Sequence, residues 1–266
     1  MAPRIAFVRD FPRRNRSDIY SIKPDGSGLT RLTMAGDAWS PVWSPDGTRI
    51  AYEDWSDGDG EIYLMDPDGS NVAQLTSNDI DDATPSWSPD GEWIAFARSD
   101  DEFADADIFD IYKMRADGSE VNRLTDSEAQ EWTPTWSPDS SKIAFYRDDE
   151  IVVMDADGSG AVALDIAHPA NNPDWAPNGD RIFYSGDHEV GGSEIHGINA
   201  DGTGKKRITR NWGPDQAPSV APNGKRLAYG RTWNLAVMRV DGARAKTIQK
   251  GPGDVYSPDW GRTSCL

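Results

Sequence analysis

The chain has 266 residues, 27 Lys plus Arg against 45 Asp plus Glu, and a formal net charge of −18. At about 150 residues per domain this length allows one large domain or two small ones, and so acidic a surface repels nucleic-acid phosphates and anionic lipid. One cysteine, Cys265, excludes an intrachain disulfide and a cysteine-based zinc site. Eighteen prolines and 25 glycines suit short strands joined by tight turns better than helices, so the first expectation is an all-β fold. The start, Met1 to Asp10, lacks a long apolar run. As given, the sequence therefore reads as soluble and cytoplasmic, or as periplasmic or extracellular if it is a fragment of a longer precursor.

In chain order, an apolar strand, Ile5-Ala6-Phe7, comes first and is followed by a strand running into Asp-Gly, Ile19 to Gly26, and by Leu32-Thr33. The segment Pro41-Val42-Trp43-Ser44-Pro45-Asp46-Gly47 then opens a unit that repeats these elements: Ile50-Ala51-Tyr52, Ile62 to Gly69 and Leu75-Thr76. The opening segment returns at Pro85, Pro134, Pro173, Pro218 and Pro258, spaced 44, 49, 39, 45 and 40 residues apart from Pro41 onward. Its later copies drift, with Val220 in the tryptophan position and Asn178 and Asn223 in the aspartate position.

Turn chemistry explains the motif. Pro fixes φ at the start of a type I turn, and the following Gly takes the positive φ that closes a bulged hairpin. Ser140 replaces that Gly in one copy and is expected to strain its corner. A period near 43 residues with four strands per unit is the signature of a β-propeller blade. Six blades use nearly the whole chain, so the expectation is a single domain over residues 1–266. The chain starts on a second strand and ends on an unpartnered Pro-x-Trp strand, so residues 254–262 should complete the blade built from residues 2–33 and close the ring.

The run Pro-x-Trp-Ser-Pro-Asp-Gly-x-x-Ile-Ala-Phe, followed by Ile-Tyr-x-Met-Asp-x-Asp-Gly-Ser and Leu-Thr, resembles the WD-like repeats of the TolB C-terminal propeller. Similar repeats occur in tricorn and prolyl oligopeptidase-type proteins. The resemblance implies a non-catalytic module that binds a protein or peptide at the wide end of a central channel.

The motif residues Trp43, Trp87, Trp136, Trp175 and Trp260 recur at one position and read as packing between blades. Function is sought at positions that vary. Four residues before each motif tryptophan position stand Trp39, Ala83, Trp132, Asn171, Gln216 and Tyr256, facing the upper mouth of the channel. Two residues beyond the aromatic of each second strand stand Arg9, Asp54, Arg98, Arg147, Gly186 and Arg231. The arginines form either a collar for a carboxylate or acidic peptide, or local pairs with acids such as Asp10, Asp100 and Asp148. Trp55, Trp212 and Trp233 lie in upper loops outside the repeat pattern and read as a binding hot spot or as blade-end caps.

Asp57, Asp59 and Glu61, and Asp105, Asp107 and Asp110, alternate as in calcium loops, though neither set fits the EF-hand spacing. A solvated turn is the competing reading, so no cofactor is expected, with calcium as the exception. His168, Asp187 and His188 are weak candidates for a metal or acid–base site of a hydrolase or lyase acting on a small or carbohydrate substrate. The three histidines are too few for the cluster of the pectin-fragment lyases that such propellers resemble. No Gly-x-Ser-x-Gly, Walker or Gly-x-Gly-x-x-Gly motif occurs. The expected partner of this monomer is thus a protein or peptide, not nucleic acid or membrane; the remaining alternative is a scaffold with no ligand of its own.

Overall fold

In the computed structural model, which describes residues 3–34, 36–99, 108–166, 169–188 and 192–261, each repeat forms one four-stranded antiparallel sheet. Six such sheets follow one another around a central channel. Blade 1 consists of Ile5–Phe11, Arg16–Ile22 and Thr30–Arg31, completed by the last strand, Asp254–Trp260. The innermost strands of blades 2 to 6 are Ala38–Trp43, Asp82–Trp87, Glu131–Trp136, Ala170–Trp175 and Asp215–Val220. Ile5 pairs with Trp260 and Asp10 with Asp254, so the two ends of the chain close the ring as the strand pattern requires.

The third strands begin earlier than expected, at Arg16, Glu61, Phe109, Glu150, Gly192 and Asn234, and stop before Asp-Gly. The Asp-Gly pairs are turns instead: Gly26 at φ 93° donates its N–H to the carbonyl of Lys23. Outermost strands are only two residues long in blades 1 to 5 and four in blade 6, Lys246–Gln249, which keeps exposed sheet edges short.

The Ser-Pro-Asp-Gly corner is held by side chains. Ser44 Oγ donates to Asp46 Oδ1 at 2.6 Å and accepts from the Arg49 N–H, while Asp46 accepts from the Thr48 N–H. Asn178 and Asn223 keep the acceptor role toward the N–H groups of Asp180 and Lys225, so the aspartate is replaceable there. Ser140 adopts φ 59°, beside 69° at Gly47 and 77° at Gly91, and so carries the expected strain of a side chain in the left-handed region.

The core lies between blades. Trp43 packs with Ala6, Ile19 and Ile50, and a Cβ at Gly261 would come within 2.9 Å of its indole. Val220, in the tryptophan position of blade 6, is buried with Ala176, Phe183 and Leu227. Trp43, Trp136, Trp175 and Trp260 are buried, while Trp87 is half-buried. No helix among the described residues is long and apolar enough to cross a membrane.

Candidate functional site at the channel mouth

Every innermost strand carries a bulge immediately before its proline. The residues there, Ser40, Thr84, Thr133, Asn172, Ala217 and Ser257, all hold left-handed φ values between 44° and 52°. None is glycine, and five of the six, all but Asn172, are residue types that disfavour this region, held there by the sheets on either side. They line the upper section of the channel, which encloses about 140 Å³. The residue before each bulge is one of the six mouth positions.

Below the bulges, the wall carries Val42, Ser86, Thr135, Asp174, Ser219 and Asp259. Three of these fasten one blade to the next. Asp174 Oδ2 accepts from the Val220 N–H at 2.6 Å, Ser219 Oγ from the Trp260 N–H at 3.2 Å, and Asp259 Oδ2 from the Trp43 N–H at 2.8 Å. Burial pushes the Asp174 carboxyl up to about 8, with the charge of Asp259 adding to the shift. Glu53, buried beside the mouth, accepts from the Thr84 N–H, and burial raises its carboxyl to about 7.

The arginine collar is largely occupied by the protein itself. Arg98 grips Asp82 through Nε and Nη2 at 2.6 and 2.7 Å, and Arg147 Nε meets Glu131 at 2.7 Å. Both carboxylates are fully buried. These partners are the first residues of the innermost strands; Asp148 instead accepts from the Gln130 N–H, and Asp100 lies outside the described residues. Arg9 is buried, with its guanidinium 5.2 Å from the Tyr20 ring centre. Arg231 faces Asp215, whose carboxyl burial raises to about 6 against the opposing charge of Arg231.

A second set of acids, not anticipated from the sequence, underlies this rim. Asp18, Glu61, Asp110 and Glu194 precede the isoleucines of the third strands and are buried. The threonine of each Leu-Thr pair accepts the N–H of that isoleucine, as Thr33 does from Ile19 and Thr125 from Ile111, at 2.9 and 2.8 Å. Arg31, Arg123 and Arg207 on the outermost strands cover Asp18, Asp110 and Glu194. The recurring acid-Ile and Leu-Thr dipeptides were the available signal.

This network removes Glu61 from the proposed calcium loop. Its Oε1 turns inward to the Asn78 N–H, whereas Asp57 is exposed. Asp54 caps its own turn by accepting from the Ser56 N–H at 3.0 Å. Asp110 is likewise engaged by Thr125 and Arg123; Asp105, Asp107, His168 and the His188 side chain lie outside the described residues, and Asp187 is exposed. Among the described residues, no three His, Cys, Asp or Glu side chains converge to hold a metal ion.

The aromatics separate into two groups. Trp55 and Trp132 pack inward with Phe109, Ala83 and Ala97, with ring centres of Phe109 and Trp132 3.8 Å apart. A Cβ at Gly60 would meet the Trp55 indole at 2.7 Å, so Trp55 acts as a cap. The other group is open: Tyr256 lies 5.8 Å from Trp39 and 6.0 Å from Trp233, its ring inclined to both. Trp233 is 43% exposed at a hairpin tip and adopts φ 65°, following Thr232 at 46°. Trp212, 90% exposed, stands apart from both groups. Asn171 is exposed and Gln216 half-buried on blades 5 and 6.

A family model described as the TolB beta propeller domain matches residues 32–214. Curated proteins described as Tol-Pal system protein TolB match shorter stretches. The one from Thioalkalivibrio sulfidiphilus is 47% identical over 38 residues, 14% of this chain and 9% of that protein. The one from Syntrophus aciditrophicus is 34% identical over 80 residues, 28% of this chain and 17% of that protein. The matched stretches thus span less than a fifth of those relatives. Among solved structures, TolB from Acinetobacter baumannii superposes with a TM-score of 0.83 at 22% identity, covering 97% of this chain and 66% of that one. An oligogalacturonate lyase in complex with manganese gives 0.65 at 12% identity, covering 92% and 78%. At these identities the structural likenesses establish the fold alone.

Proposed function

Since the chain belongs to the TolB beta-propeller family, we propose that it is a non-catalytic module whose upper mouth docks a protein or peptide. The observation that carries this reading is Trp233. A bulky aromatic in the left-handed region costs stability, and this one is exposed at a hairpin tip against Tyr256 instead of buried in the core. Aromatic anchors beside a rigid rim are the composition of a binding hot spot. Arg98 and Arg147 shape that rim by holding Asp82 and Glu131, while Trp39, Trp233 and Tyr256 make the contact.

The relatives' description as Tol-Pal system proteins supports a protein partner in a system of that kind. It also favours the reading of this sequence as part of an exported protein over the cytoplasmic one.

The test is site-specific photocrosslinking in the host cell, with benzoylphenylalanine placed at Trp233 or Gln216 on the mouth, or at Val162 on an outermost strand. The expected result is a discrete protein adduct from the mouth positions, reproduced with the purified partner and weakened by Trp39→Ala. Adducts from Val162 with none from the mouth would refute the reading.

A further inference from the structure

We infer that the cleft formed by Trp39, Tyr256 and Trp233 receives a cationic side chain, arginine in preference to lysine, from the docked partner; this rests on the docking reading above. Three carboxylates, Asp10, Asp37 and Asp254, stand near the cleft. Trp39 Nε1 donates to Asp37 Oδ1 at 3.1 Å, which holds a carboxylate at the edge of the first indole. Asp10 and Asp254 are direct neighbours across the closing strand pair, two register positions beyond the pair of Val8 with Tyr256. Burial first, and then the charges of Asp254 and Asp37, oppose ionisation of Asp10, and the Tyr256 hydroxyl is raised by burial and by Asp254 and Asp10. Asp254 and Asp37 thus act on Asp10, and Asp254 and Asp10 act on the central ring of the cleft.

None of the ion pairs among the described residues involves Asp10, Asp37 or Asp254. This contrasts with Asp82 and Glu131 on the same rim, each of which holds an arginine of its own chain. Like charges gathered without a counterion disfavour the free protein, and an incoming cation relieves that repulsion. The inclined indole and phenol faces add cation–π attraction, and a planar guanidinium both stacks on such a face and forks to a carboxylate. An acidic or neutral side chain gains neither term.

The probe is N-acetyl-arginine methylamide, with the neutral citrulline analogue as its isostere and N-acetyl-lysine methylamide as a second cation. Each is titrated into the full chain while the indole Nε1–H signals are followed by ¹⁵N NMR. Trp39 and Trp233 signals are assigned by their loss in Trp39→Phe and Trp233→Phe. The expected result is a saturable shift of both with the arginine probe, a weaker one with lysine, none with citrulline, and weakening as salt rises. Trp233→Ala and Asp254→Asn should each lower the affinity about three- to fivefold, whereas Trp212→Ala should not change it.

An equal response to citrulline, or unmoved Trp39 and Trp233 signals, would overturn the inference. If those signals stay still while Trp233 crosslinks continue to form, the charge assignment falls and docking stands; if both are silent, both fall.

Discussion

Asp259 Oδ2 accepts the backbone N–H of Trp43 at 2.8 Å, joining two residues 216 positions apart. The bond ties the strand that closes blade 1 to the innermost strand of blade 2. It fastens the ring at its seam in addition to the β-ladder between Ile5–Phe11 and Asp254–Trp260.

Asp259→Ala should accordingly destabilise the ring by about 1–3 kcal/mol, because the Trp43 N–H loses its acceptor next to the channel. Urea denaturation reads the loss as a lower midpoint. An unchanged midpoint would show that the ladder alone closes the seam.

Arg98 and Asp82 give a larger effect. Arg98→Met removes the guanidinium from the fully buried Asp82, to which the Asn78 amide donates at 3.2 Å, at a cost of about 3–5 kcal/mol. Adding Asp82→Asn should restore a large part of it, since the uncompensated charge is then gone. A double variant no more stable than the single one would mean that packing of the guanidinium, not charge, holds this rim.

Stability should fall as pH rises from about 4 to 8. The Asp174 carboxyl is pushed up to about 8 in the folded chain, against about 4 when unfolded. Folding takes up a proton inside that window, so stability declines with pH, and the cost is complete above 8. Glu53 at about 7 and Asp215 at about 6 act in the same sense. Asp174→Asn keeps an oxygen for the Val220 N–H and removes the titration, so its melting temperature at pH 8.5 should exceed that of the wild type. The gain is on the order of 2–3 kcal/mol after allowance for water in the channel. Equal melting temperatures at pH 8.5 would place the Asp174 proton elsewhere.

Ser140→Gly should stabilise by about 0.5–1 kcal/mol, since the position already holds φ 59°. The contact from the Asp90 N–H to Ser140 Oγ, 3.3 Å long and exposed, is a small loss beside the relief of strain. Thermal melting of the pair of proteins decides it.

The blades were legible because Pro and Asp-Gly act locally: each fixes backbone angles within a few residues, and six copies in register leave little choice of architecture. Side-chain pairing was less legible. The sequence leaves Arg98 open between a ligand-facing collar and a local pair; it meets Asp82, 16 residues away, because antiparallel register sets that contact. Asp18 and Thr33 were visible only as repeated dipeptides. Their joint role appears when the outermost strand folds back and brings the threonine to Ile19. Trp39, Trp233 and Tyr256 were each singled out, yet they come together only once a chain of 266 residues has returned to its start.

Tyr256 lies on the strand that zips the two chain ends together, and its ring contacts Trp39 of blade 2 and Trp233 of blade 6. Whatever occupies that cleft must therefore lock the latch, and by thermodynamic linkage it protects the seam against opening in proportion to its own affinity. Pulling on either terminus would work in the opposite direction, fraying the terminal strand and parting the aromatics, so that any occupant would be held less tightly. The way the circle is fastened thus couples tension at the chain's ends to the geometry of the aromatic cleft.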